Sequence, residues 1–296
     1  MSRIEQRQRH IRLIRENLSG SPTLIQPEDI TVNTDARFNV ATSQKNPVHI
    51  PTFLQQNLGD PAVKVSGLAL LPCTLFHTYP QDFLPKLRAH LLPRIQAVLE
   101  GEAKTHPEFS TAVNMFPPSL DDMTRNFVFF KHESLYQHKT IRVNYTTYDI
   151  RRGTDIVKPE GPCCNIMLLA NHTGGSNLSN LHHFIYARVL GVYHADVIYT
   201  GPGARAFQML WVRWYEVVDP GSSGWDNSTL DMLRFPPLHQ DNSFGFVDPD
   251  VVLRGCHILP AFGKGKQESS VNVSRSAKDN KDYRLYYVDR LSSTIS

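Results

Sequence analysis

Cysteine, net charge and long apolar stretches are all in short supply in this chain, and each shortage narrows the class of protein. The four cysteines, Cys73, Cys163, Cys164 and Cys256, include a vicinal pair and no CxxC. That usage argues against a disulfide framework and for a reducing, intracellular compartment. No stretch approaches the roughly 18 apolar residues of a membrane-spanning helix, so no membrane partner is expected. The opening residues, MSRIEQRQRHIRLIREN, lack the apolar core of a secretory signal. The sequons Asn171-His172-Thr173 and Asn272-Val273-Ser274 then predict no glycosylation, which needs secretory entry. Charged residues make up 20% of the chain and the net charge is +3, compatible with a nucleic-acid partner but too mild to demand one. A hydrophobic share of 41% is ordinary for a globular protein. At 296 residues the chain fits one domain with appendages, or two domains.

Local signs of catalysis are missing as well. Among thirteen histidines, His182 and His183 are adjacent and His257 follows Cys256, but nothing has the spacing that lets two ligands from one element meet a tetrahedral ion. In a strand, Cys256 and His257 point to opposite faces. The GPGAR stretch at Gly201 to Arg205 joins two predicted strands and lacks the helix N-terminus of a phosphate cradle. The loop from Asn171 to Asn180 has no lysine to back a nucleotide, there is no GxSxG, and Asp248-Pro249-Asp250 reads as turn chemistry. No catalytic, metal or cofactor-binding residue is assigned, and no cofactor is expected.

What the chain does contain falls into four stretches. Residues 1–50 read as a basic helix and a linker: Ile4, Ile11, Ile14 and Leu18 share one helical face, and Arg3, Arg7, Arg9 and Arg12 lie among the others. Such a helix can meet DNA, an anionic membrane or a partner helix, or it can be a solvated helix end. Residues 51–126 read as helical, with a short helix over about Ile50 to Leu58 and a longer one over about Phe83 to Glu102. The longer helix carries Leu84, Leu87, Leu91, Ile95, Val98 and Leu99 at helical spacing, and a kink is expected at Pro93. Residues 127–290 turn to period two, as in Ile141, Val143 and Tyr145 against Arg142, Asn144 and Thr146. Residues 291–296 are a tail. The expected class is α+β, with a mostly β, barrel-like C-terminal domain preceded by helical segments.

Between the two helices, Val65 to Gln81 is apolar, proline-interrupted and without either period. Val-Ser can be encoded by GTNAGT, which resembles a fungal 5′ splice site, and Tyr-Pro-Gln can end in a pyrimidine tract followed by CAG. These 17 residues are therefore read as a retained in-frame intron, the alternative being an apolar loop packed on the domain.

The best functional signal is the strand pair in FIYARVLGVY and FQMLWVRWYEVV. If Leu210, Val212 and Trp214 point inward, Trp211, Arg213 and Tyr215 point outward, with Tyr186 and Arg188 beside them. Aromatics hold methylated lysine or stack nucleobases, and arginine binds phosphate. The competing reading covers this face with the helical half and pairs the arginines with carboxylates at the rim.

The strings VNYTTYDIRRGTD, YARVLGVYHADVIYTGP, LWVRWYEVVDPG, FGFVDPDVVLRGCHILPAF and DYRLYYVDR resemble the C-terminal region of basidiomycete transposon-derived proteins, the Plavaka and KDZ-like transposase relatives. DARFNVATSQKNPVHIPTFLQQNLGDPAVK and FLPKLRAHLLPRI look like the segment before it, so the resemblance covers most of residues 35 to 290. It implies a fungal protein, nuclear, contacting DNA or a chromatin protein. The family's catalytic carboxylates lie in an upstream RNase H-like domain without a counterpart here, so the implied role is a non-catalytic interaction or targeting module. The alternatives are a fragment of a metal-dependent nuclease or transposase and an inert structural remnant. The family pattern lacks an equivalent of Val65 to Gln81 and continues beyond YYVDR, which implies a truncated gene model. The strands also look like a BAH-type or chromo-barrel reader, an analogy of architecture that fixes no binding residue.

Overall fold

The computed structural model describes residues 38–40, 45–58, 60–63, 83–105, 128–146, 152–170, 182–198, 204–218, 230–267 and 274–289. In chain order its elements are β1 (Phe38–Val40), β2 (Lys45–His49), α1 (Ile50–Gln56), α2 (Phe83–Thr105), β3 (Phe129–Phe130), β4 (Ser134–His138), β5 (Ile141–Thr146) and β6 (Arg152–Val157). There follow β7 (Asn165–Leu169), β8 (Phe184–Ile198), β9 (Ala204–Trp214), β10 (Glu216–Val217), β11 (Met232–Arg234), β12 (Phe244–Val247), β13 (Val252–Gly255), β14 (His257–Pro260) and β15 (Tyr286–Asp289). The fold is α+β and mostly strand. The stretch expected as helical holds two helices close to the predicted bounds, and α2 runs unbroken through Pro93. The basic N-terminal helix and the segment read as a retained intron lie outside the described residues.

The strands form open sheets rather than the closed barrel that the period-two pattern suggested. Strands β12, β9, β8, β4 and β2 lie in that order in the largest, with β7 and β3 also on β8 and β13 on β7. A second sheet has the order β1-β5-β6 and a third β10-β11-β15-β14. β1 and β2 come from the stretch expected as linker and pair with β5 and β4.

β8 organises the rest. On one edge it pairs with β9 from Ala187 to Ile198; on the other, β7 takes its first half and β4 and β3 its second. A register shift between Val189 and Gly191 inserts one extra residue and reverses which parity faces which side. Ala187 and Val189 before the shift therefore share a face with Val192 after it. This face buries Leu210 and Val212 against Ile141, Val143, Val157 and Val252.

The opposite face is also covered, by two different things. Over Tyr193, Ala195, Phe207, Met209 and Trp211 lies α2, which presents Leu87, Leu91, Ile95 and Leu99 at the spacing that makes one apolar stripe. Phe83 meets Trp211 edge to face at 5.2 Å. Polar ties fix the helix: Arg94 pairs with Asp248 at 2.7 Å and donates to the Gln208 carbonyl, and Glu102 pairs with Arg205. Over the first half of β8 and the end of β9 lies the third sheet, which contributes Leu233, Ile258, Tyr286 and Val288, with Phe235 following β11.

Candidate functional site

Two groups of arginine, lysine and aromatic side chains stand out, one inside the molecule and one on its surface. The first contains the residues singled out in the strand pair. Arg188 and Arg213 are cross-strand partners on β8 and β9, so two like charges sit directly opposite one another. Asp282 resolves the conflict. Its Oδ1 accepts from Arg188 Nη1 at 2.8 Å and its Oδ2 from Arg213 Nη1 at 2.5 Å. The Phe235 ring packs against both guanidiniums, 4.4 Å from Arg188 and 3.9 Å from Arg213. Tyr215 stacks on Phe235 at 4.1 Å, and Tyr286 meets both rings edge on. Tyr286 also donates to Asp282 Oδ1 at 3.2 Å.

Burial controls the chemistry here. It disfavours charge on Arg188, but the charge and hydrogen bond of the Asp282 carboxylate outweigh that and hold its pKa above the ordinary value. The Tyr215 phenol, buried beside it, is pushed far up and stays neutral. Burial likewise raises the Cys164 and Cys256 thiols, which keeps them protonated and unreactive. Next to the cluster, Tyr186 donates to Asp231 Oδ2 at 2.8 Å and His182 Nε2 lies 3.0 Å from the same oxygen.

The expectation that Tyr186, Arg188, Trp211, Arg213 and Tyr215 face outward is therefore corrected. Tyr186 is 0% exposed, Arg213 1% and Trp211 4%. Tyr215 is buried as well, and the Arg188 side chain keeps 18% of its surface. Trp211 lies under α2, and the other four lie under the third sheet. Helix and sheet both cover the face, because beside its two arginines it carries the large apolar and aromatic side chains of Tyr186, Tyr193, Met209, Trp211 and Tyr215, whose burial stabilises the fold. The other expected contact residues, Arg3, Arg7, Arg9 and Arg12, lie outside the described residues.

The second group was not anticipated. Residues Ala261 to Gln267 run antiparallel to Asp282 to Leu285 as a short ribbon. Lys266 and Tyr283 form a bridge, Arg284 N donates to Gly265 O, Gln267 N to Asp282 O and Ala261 N to Leu285 O. Gly265 takes φ +79°, a conformation that suits glycine and lets the chain turn between Lys264 and Lys266. Phe262, Lys264, Lys266 and Arg284 on the ribbon are exposed, as are Arg275, Lys278 and Lys281 just before it. Phe262 meets Tyr283 edge to face at 5.3 Å, and Lys266 Nζ stands 6.0 Å from the Tyr283 ring centroid.

Asp282 joins the two groups. Its carboxylate anchors the buried arginines, its carbonyl takes a ribbon hydrogen bond, and Tyr283 and Arg284 follow it toward the surface. The sequence signals for the ribbon are the GKGK tract after Phe262 and the run KDNKDYR. From Phe262 to Arg284 six lysines and arginines face Glu268, Asp279 and Asp282, a local excess equal to the +3 of the whole chain. Among the described residues, no three His, Cys, Asp or Glu side chains gather as metal ligands, and no helix is long and apolar enough to cross a membrane. The chain matches no protein-family model, no curated protein and no solved structure.

Proposed function

We propose that this chain is a non-catalytic interaction module of a transposon-derived fungal protein, acting on DNA in the nucleus, with the ribbon around Lys264, Lys266 and Arg284 as its phosphate-contacting surface. The observation that carries this is the exposed basic and aromatic ribbon, in a chain whose total charge is nearly balanced. Lysine and arginine at such density release counterions from a phosphate backbone, which supplies affinity without reading sequence. The resemblance to transposase relatives supplies the biological setting. Arg3, Arg7, Arg9 and Arg12 would form a second basic footprint.

A histone-tail reading fits less well. The aromatic cage that could hold a methylated lysine, made of Tyr215, Phe235 and Tyr286, is filled by the chain's own Arg188, whose guanidinium lies 4.4 to 5.9 Å from the three ring centroids. A basic ribbon also repels a basic tail.

The test is a titration of the full chain against labelled mixed-sequence DNA, duplex and single-stranded, at several salt concentrations. Binding should weaken steeply with salt, and the combined change Lys264→Gln, Lys266→Gln and Arg284→Gln should cut the log-log slope by about 2 to 3. Affinity with no salt dependence, or a slope that the triple variant leaves unchanged, would remove the ribbon from the contact.

A further inference from the structure

The most exposed large apolar side chain among the described residues is Phe262, at 69%, and it stands in the middle of the basic ribbon. It lies in a short 3-10 turn, Phe262–Lys264, with Gly263 and Lys264 following and Gly265 and Lys266 beyond. A β-carbon added at Gly263 or Gly265 would meet nothing within 4 Å, so the space around the turn is open. Tyr283 supports the ring from one side, edge to face, and is itself part-buried on the opposite segment. An exposed phenyl ring costs solubility, and Phe262 belongs to none of the buried clusters.

Resting on the reading of the ribbon as a phosphate-contacting surface, we infer that its ligand is an unpaired strand of nucleic acid, with a base stacked on Phe262 and the flanking phosphates held by Lys264, Lys266 and Arg284. The bases of a duplex are already stacked on each other and offer no face to a phenyl ring. Phosphate contact alone would need only the cations. A ring placed among them, on a turn bounded by glycines that keep the approach open, adds the sequence-tolerant stacking by which single strands are bound. The source of such a strand is a frayed end, a nick or a transcript; the chemistry is shared, and deoxyribose and ribose oligonucleotides tell them apart.

The experiment compares a labelled mixed-sequence single strand of about 12 nucleotides with its duplex, using the full chain and three variants: Phe262→Ala, Phe262→Trp, and the combined glutamine variant of the ribbon. The single strand should bind more tightly than the duplex. Phe262→Ala should weaken it about 5- to 150-fold with little change in salt slope. Phe262→Trp should keep the affinity and show indole fluorescence quenched on addition of the single strand. Unaltered thermal unfolding of these surface variants keeps the comparison clean. Equal binding of duplex and single strand, with Phe262→Ala neutral and the glutamine variant weakened, overturns the stacking inference and leaves the phosphate reading intact. No salt-dependent binding to either form overturns both. Association with phosphatidylserine vesicles that Phe262→Ala abolishes, in a chain that binds no oligonucleotide, also overturns both and makes Phe262 a membrane wedge.

Discussion

The two arginine and aromatic regions of this molecule use the same residue types to opposite ends. Inside, Arg188 and Arg213 are bound by one carboxylate, Asp282, and sandwiched on Phe235, so their charge is spent within the fold. Outside, Lys264, Lys266 and Arg284 stand around Phe262 and Tyr283 on an exposed ribbon. Composition cannot separate these cases. The difference lies in what covers each: a β-sheet with its own carboxylate in the first case, and water in the second. Because Asp282 belongs to both, the inner group sets the position of the outer one.

The sharpest way to break this arrangement is Asp282→Ala. It leaves two guanidiniums facing each other across β8 and β9, one of them fully buried, without the carboxylate that bridges them. Stripping the partner from a buried ion pair costs about 3 to 5 kcal/mol, and here two cations are stranded at once. Denaturant unfolding should show a loss at the upper end of that range or beyond, or no folded protein. Replacing the whole unit, Arg188→Met, Arg213→Met and Asp282→Leu together, should recover much of the loss, because no unpaired charge remains. If the single change were neutral, the inner group would not be holding the ribbon in place.

A second test contrasts the paired arginines with a basic side chain whose charged neighbour is another cation. His90 on α2 is part-buried, with Arg94 Nη1 3.5 Å from its Nε2. Burial first, and the Arg94 charge second, lower its pKa to about 4 from the usual 6.5. The folded state thus refuses a proton that the unfolded chain accepts between these values, so stability falls as pH drops from about 6.5 to about 4. The full effect is about 3 kcal/mol. Unfolding curves across this window should be steeper in pH for the native chain than for His90→Leu.

How much of this was legible in the sequence depends on what each signal measures. Period counts located α1, α2, β5, β8 and β9, because periodicity reports which residues are apolar along one element. They could not say that β8 and β9 are covered on both faces, since Trp211, Arg213 and Tyr215 alternate with Leu210 and Val212 as they would in a half-exposed strand. Even the alternation in β8 changes phase at the register shift beside Gly191, which no period shows. The key partner, Asp282, lies 69 residues from Arg213. Such a pairing is written in topology. The ribbon is written in the sequence as a basic tract with one phenylalanine, but nothing local distinguishes such a tract from an ordinary solvated loop.

A smaller effect is expected for the segment that joins Val63 to α2. Val63 and Phe83 are both buried, and Phe83 N donates to Val63 O at 3.2 Å. Joining Lys64 directly to Asp82 would make Val63, Lys64, Asp82 and Phe83 a four-residue turn closed by that hydrogen bond. Deleting 65–81 should therefore leave α2 seated and raise stability by up to about 2 kcal/mol through the shorter loop. A message that lacks codons 65–81 would make the shorter chain the natural one. A shortened protein that fails to fold would instead show that those residues belong to the core.

The smallest effect on stability should come from the ribbon itself, and that is the point of measuring it. Lys264→Gln and Lys266→Gln remove exposed charges with no buried carboxylate to strand, so unfolding should move by no more than about 0.5 kcal/mol. The corresponding charge removal inside, Arg213→Gln, should cost several times as much, because Asp282 then keeps one partner and loses the buried one. If the two losses were alike, the ribbon lysines would be structural and their charge would be unavailable to a phosphate. If they differ as expected, the inner arginines serve the fold and the charge of Lys264 and Lys266 is available to a ligand.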